Sequence, residues 1–190
     1  MSNFTIHTEN TAPSESAPML AQLAAAIGFA PNIFAATAES SPALAGLMAI
    51  NGSFAASSFT PEEQQLILMA TSVENGCVYC VAGHTLMSKG LDISDDVVQA
   101  MRNKQFISNP RYAALREMVS ALIHHRGRIS ETTMTNFLEQ GYSKAQFFEL
   151  VLGVSVKTFT NYVSNALTLQ LDDAFTPYRW ERPADLKKTA

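Results

Sequence analysis

The chain has 190 residues, of which 47% are hydrophobic and 16% charged, with a formal net charge of −4. That is enough for one compact domain with a real core, or at most two small ones. The acidic balance gives no electrostatic reason to expect nucleic acid or an anionic membrane as a partner. Leu, Ala and Met are plentiful and Gly is sparse, which favours helices over a sandwich or barrel.

Residues 1–15 are expected as a flexible N-terminal arm. Their polar run, MSNFTIHTENTAPSES with Ser16, lacks the basic and apolar regions of a secretory leader. The helical pattern starts at Ser16, predicted as an N-cap, with Pro18 in the first turn and Gly28 as the stop. Pro31 opens a short helix over 31–40. Ser41 and Pro42 open the next, with Ala43, Leu47, Ile50 and Phe54 at helical spacing. Thr60–Pro61–Glu62–Glu63 is the strongest helix start: Thr60 caps, Pro61 sits at N1 and Glu63 closes a capping box. That helix stops at Asn75–Gly76. A new one runs from Cys77 to about Lys89, with Gly90 ending it.

Further helices are predicted over 94–104 (Ser94 cap), 109–127 and 130–141 (Ser130 cap, Gly141 stop). The last is long, from Ser143 towards Leu169, with Phe147, Leu150, Val151, Val154, Thr158, Asn161, Tyr162 and Asn165 along one side. Its LVLGVSV centre is β-branched, but length and i, i+4 continuity argue for helix. Gly46, Gly52 and Gly153, isolated in helical patterns, are expected where helices approach closely. Phe175, Tyr178 and Trp180 make the tail too apolar for solvent, so 172–190 is expected to pack on the body or on a neighbouring subunit. The organisation predicted is all-α: a single-domain helical bundle over 16–171, flanked by arm and tail. No apolar run approaches the roughly 20 residues of a membrane span. The expected location is the cytoplasm, where a lasting structural disulfide is not expected.

The chemistry concentrates in ENGCVYCVAGH, residues 74–84, which holds both cysteines. On a helix, Cys77, Cys80 and His84 share one face. An ordinary thiol near pKa 8.5 is only about 3% ionised at pH 7. Free N–H groups at a helix start favour a thiolate, and His84 can serve Cys80 as a base. A C-x-x-C pair can also close reversibly to a disulfide. Two other readings remain beside the redox one. A structural zinc site needs four ligands, and only two thiols and His84 are here. Two inert buried cysteines with a core histidine are the other. A thioredoxin setting needs a βαβ pattern, and none is visible. His124 and His125, at a helix C-terminus, fit a dipole-stabilising role. Tyr79, between the cysteines, is expected to pack.

NGCVYCVAGH resembles the core of the alkylhydroperoxidase D-like, carboxymuconolactone decarboxylase family. FTPEEQQLILMATSVENGC is similar to that family's capped helix before the cysteines, and the helix with Phe159, Asn161, Tyr162 and Asn165 to the last helix of its peroxidase-related branch. The resemblance implies an all-helical homo-oligomer with thiol peroxidase or disulfide reductase activity in antioxidant defence. It implies no cofactor beyond a redox-active disulfide. Cys80 would be the peroxidatic thiol, Cys77 the resolving one, and His84 part of a proton relay. The implied partners are a hydroperoxide substrate and a dithiol reductant protein, with no nucleic acid or membrane. Branches without the cysteine pair are lactone decarboxylases, a less favoured reading here. The family's relay includes a Glu twelve residues before the first cysteine, where this chain has Gln65. A neutral amide can orient His84 but cannot take a proton at pH 7. Glu62 and Glu74 are the nearby acids able to substitute, although Glu62 also fits helix capping. The alternative that Gln65 raises is a catalytically weakened redox-sensing or structural oligomer of the same fold.

Overall fold

The structure, a computed structural model, describes residues 4–183. Among these the chain is all-α, with nine α-helices, one 3-10 helix and no strand. They are α1 (Ala17–Ile27), α2 (Asn32–Thr37), α3 (Ser41–Ala55), α4 (Pro61–Glu74), α5 (Val78–Gly90), α6 (Asp95–Arg102), α7 (Pro110–His124), α8 (Glu131–Glu139) and α9 (Lys144–Leu167), then the 3-10 turn Asp173–Tyr178. No described helix is long and apolar enough to cross a membrane.

α4 is the axis. It packs on α5, α7 and α9, and every residue from Leu66 to Val73 is buried. A helix that is apolar all round belongs inside a core. Its start forms as predicted: Glu63 N–H donates to Thr60 Oγ1 at 3.2 Å, and Thr60 N–H to Glu63 Oε2 at 3.1 Å. Glu63 also accepts from Arg111 Nε at 2.7 Å, which docks α7. The core collects Phe54, Leu66, Met101, Met118, Phe137 and Leu150 around this helix.

Several local expectations need correction. Ser16 lies in the αR region without a capping bond; its hydroxyl meets Ser41 Oγ at 2.8 Å, tying α1 to α3. The cap of α3 is Ser40, whose hydroxyl accepts from Ala43 N–H. Ser94 stands at the N-cap of α6 without a side-chain bond. α9 ends at Leu167, closed by Thr168 in the left-handed region. Of the three glycines expected at close approaches, only Gly153 marks one: a Cβ there would lie 2.5 Å from the Phe54 ring, while Gly46 and Gly52 face open space.

Residues 4–15 hold no helix, but His7 pins them. Its N–H donates to Ala35 O at 3.2 Å and its Nε2 meets Glu39 Oε2 at 2.8 Å. At the other end Phe175 packs edge-on against Tyr79, and Trp180 Nε1 donates to Arg102 O at 3.0 Å. Arg102 in turn donates to the carbonyls of Tyr178 and Arg179. The described tail thus docks on its own chain. Residues 1–3 of the expected arm and 184–190 of the expected tail lie outside the described residues.

Candidate active site

The turn between α4 and α5 fixes the thiols. Gly76 adopts φ +60°, a conformation that costs glycine little, and Cys77 N–H donates back to Ser72 O at 2.9 Å. Arg182 Nε caps the Gly76 carbonyl at 2.5 Å. Cys77 thereby becomes the N-cap of α5, and its sulfur accepts from Cys80 N–H at 3.3 Å. Both cysteines are free and buried. They differ in what they face. Cys80 lines a cavity of about 590 Å³, whereas Cys77 sits behind it in the packed interior.

Apolar side chains of α1, α2, α3 and α4, including Ile27, Phe34, Phe54 and Leu68, wall this cavity, and Phe175 of the tail closes one side. Phe175 can approach because α5 has Gly83 there; a Cβ would come within 3.1 Å of its ring. The polar edge consists mainly of Cys80, His84, Gln65, Lys157 and Thr160.

Electrostatics separate the two thiols. Burial pushes the Cys80 thiol up, but a hydrogen bond from Cys77, the Lys157 ammonium and donors on Asn161 and Thr160 outweigh it. The result is lowered to about 6. Cys77 is raised, first by that same hydrogen bond, then by burial and by the Cys80 charge. At neutral pH Cys80 is the thiolate and Cys77 the protonated donor beside it. His84 is held well below its ordinary value by burial and then by the Lys157 charge, so its ring is neutral. Its Nδ1 lies 2.9 Å from Gln65 Oε1, which accepts; Nε2 is left as the basic nitrogen.

Gln65, Cys77, Cys80 and His84 therefore come together, and the two carboxylates do not. Glu62 stands on the exposed first turn of α4 and accepts from the Tyr112 hydroxyl at 3.0 Å. Glu74 accepts from Lys104 Nζ at 2.6 Å and lies 2.8 Å from His124 Nε2, lining a separate cleft against α7. Burial raises its carboxyl, but those two partners leave it lowered overall. Tyr79 packs as expected, and its hydroxyl is also held: it donates to Asp172 and accepts from Ile33 N–H. That pair fastens the tail beside Cys80. Burial first, then Asp172, raises the phenol.

Lys157 and Thr160 on α9 are not singled out by the sequence, and Asn161 is placed on that helix by the resemblance without a role at the site. Lys157 is buried and stands alone as a charged residue between Glu149 and Asp172, which was the available signal. Asn161 bridges the site to α4 by donating to Ser72 Oγ at 3.3 Å. Among the described residues no cluster of three or more His, Cys, Asp or Glu is placed to hold a metal ion.

Residues 42–116 match the model of the carboxymuconolactone decarboxylase family, a segment that includes Gln65, Cys77, Cys80 and His84. The fold is that of the alkylhydroperoxidase AhpD core, as in an uncharacterized peroxidase-related protein from Ralstonia eutropha JMP134. The two are 18% identical, with a TM-score of 0.78 over 90% of this chain and 93% of that one. A peroxidase-related protein from Silicibacter sp. TM1040 gives 0.75 at 16% identity, over 91% and 92%. The debrominase Bmp8 gives 0.79 at 17% identity, over 94% and 96%; a cysteine-to-alanine variant of it has been solved with 2,3,4-tribromopyrrole. No curated protein matches the chain.

Proposed function

We propose, from the match of residues 42–116 to the carboxymuconolactone decarboxylase family model and from the alkylhydroperoxidase AhpD fold of the whole, a thiol-dependent hydroperoxide reductase cycling through a Cys77–Cys80 disulfide. The observation that carries this reading is the asymmetry of the pair. Cys80 alone faces the cavity and is lowered to about 6, while Cys77 is buried behind it and raised. Because the same fold serves a debrominase, the reading rests on the thiols rather than on the fold.

In the first step the Cys80 thiolate attacks the terminal oxygen of a hydroperoxide. The O–O bond breaks, Cys80 becomes a sulfenic acid, and the leaving alkoxide takes a proton to become an alcohol. His84 Nε2 is the relay for protons crossing the cavity. Oxidation of Cys80 removes the thiolate to which Cys77 was donating. The two effects of Cys80 that hold the Cys77 thiol up vanish with it, so Cys77 is activated only after its neighbour is oxidised. The Cys77 sulfur then attacks the sulfenic sulfur, and hydroxide leaves as water with the Cys77 proton. An external dithiol supplies two electrons to reopen the disulfide. The reading sets this cycle in the cytoplasm, with a dithiol protein as reductant and no bound cofactor. It also takes the protein as a homo-oligomer, supported by the exposed apolar side of α9: Phe148, Val151, Phe159 and Tyr162.

With an added dithiol, Cys80→Ser abolishes hydroperoxide consumption. Cys77→Ser leaves a sulfenic acid on Cys80 that dimedone traps. Wild-type turnover in both variants refutes the proposal.

Gln65 favours a second reading, a redox-sensing or structural oligomer with weakened turnover. The amide orients His84 but adds no charge to support an imidazolium. A slow wild type and a much faster Gln65→Glu variant support it; a fast wild type rules it out. A decarboxylase-type activity would survive removal of both thiols.

A further inference from the structure

The thiol cycle leaves one property of the cavity unused. Lys157 is the only permanently charged side chain among the described residues that line it, and no carboxylate lines it. Lys157 is buried and forms no salt bridge with any described carboxylate. A buried ammonium is costly unless an anion compensates it. In the reduced protein the Cys80 thiolate does so, and Lys157 lowers that thiol in return. A sulfenic acid or a disulfide carries no such charge. Gln65 adds to the asymmetry. Its carbonyl is taken by His84, and its NH2 group, on the cavity wall, has no partner among the described residues. A glutamate there would repel an anion; the amide offers donors to one.

We propose that this cavity binds an organic anion with an apolar body, its anionic end paired with the Lys157 ammonium and the Gln65 amide. The body lies against Ile27, Phe34, Phe54, Leu68 and Phe175. A volume of about 590 Å³ suits a small organic molecule. Neutral His84 brings no second cation to compete. The ligand and the Cys80 thiolate share one counter-charge, so each weakens the other: the anion binds best when Cys80 is not a thiolate. The inference uses the cavity of the peroxidase reading but rests on Lys157 and Gln65, not on turnover.

The test is calorimetric titration of decanoate, decanol and decylamine into a Cys77→Ser/Cys80→Ser protein. Decanoate is expected to bind about tenfold tighter than decanol, and decylamine weaker than either. Adding Lys157→Met or Gln65→Glu brings decanoate to the level of decanol or below while decanol binding stays, which also certifies the folded cavity. Reduced protein with both cysteines binds decanoate several-fold more weakly than the double variant. Equal binding of decanoate and decanol, a preference that survives both substitutions, or no binding by any probe overturns the proposal. Equal decanoate affinity with and without the cysteines overturns the shared counter-charge. Peroxide turnover of the intact chain is read separately: turnover without a decanoate preference sinks this inference alone, and the preference without turnover sinks only the peroxidase reading.

Discussion

Replacing Lys157 with methionine removes the cavity's charge and keeps an unbranched side chain of similar length. Opposite unit charges about 4–8 Å apart, at an effective dielectric near 20, attract by about 2–4 kcal/mol. One pKa unit is about 1.4 kcal/mol. The Cys80 thiol, at about 6 in the native chain, is therefore expected to titrate near about 8 in Lys157→Met. At pH 7 its thiolate fraction falls from about nine-tenths to about one-tenth. The sign is unambiguous, because the ammonium stabilises only the ionised sulfur. The assay is the pH dependence of iodoacetamide alkylation, with the modified cysteine located by peptide mapping. In the native chain Cys80 reacts first, with a midpoint near the lower value. The hydroperoxide rate at pH 7 drops about tenfold in the variant and recovers towards pH 9. A midpoint that moves by less than about half a unit refutes the electrostatic argument, for it would mean that Cys77, Asn161 and Thr160 hold the thiolate without the cation.

Glu74→Gln tests whether that carboxylate is structural. It is expected to cost about 1–3 kcal/mol in urea denaturation at pH 7 and to leave the Cys80 midpoint unchanged. Because its native value is lowered from 4.5, its contribution is present above that value and is lost as pH falls through the native one; the gap from wild type therefore closes in acid. Gly153→Ala, whose Cβ would meet the Phe54 ring at 2.5 Å, is expected to destabilise by about 1–3 kcal/mol. Gly46→Ala, with open space around it, is expected to stabilise by up to about 1 kcal/mol; matching signs in the urea midpoints would contradict the packing. Phe148→Glu combined with Tyr162→Glu is expected to lower the mass read by light scattering, and an unchanged mass would exclude that side of α9 as the oligomer interface.

The legible part of the site is the part encoded by local spacing. Thr60 and Glu63 close a box because capping is a three-residue relation, and Cys77, Cys80 and His84 line up because a helix repeats. Gln65 stands out only through the family resemblance, which implies a glutamate twelve residues before Cys77. Lys157 was missed because its role depends on how α9 crosses α5, which no local period reveals. The sequence groups Phe147, Leu150, Val151, Val154, Thr158, Asn161, Tyr162 and Asn165 along one side of α9 and leaves open which side is buried. The buried stripe runs through Leu150, Gly153, Val156, Lys157, Thr160, Asn161 and Ser164, leaving Phe148 and Tyr162 out. The side of α9 that faces the cavity presents polar and small residues inward, so hydrophobicity alone does not locate the buried side. The Tyr79–Asp172 bond was hidden for the same reason, since it joins segments far apart in the chain.

Phe175 closes the cavity from outside the family-matched segment, and Lys157 reaches it from outside too. The thiols and His84 lie within that segment. The cavity is thus assembled from two stretches of the chain, one carrying the thiols and the other the cation and the ring that border them. Substitutions at Phe175 can redraw the shape of the cavity without touching the thiols, whereas a substitution at Lys157 alters the cavity's charge and the Cys80 thiol together. A fold divided in this way can vary the cavity's shape at the tail while its sulfur chemistry stays still, but it cannot vary the cavity's charge without moving that chemistry.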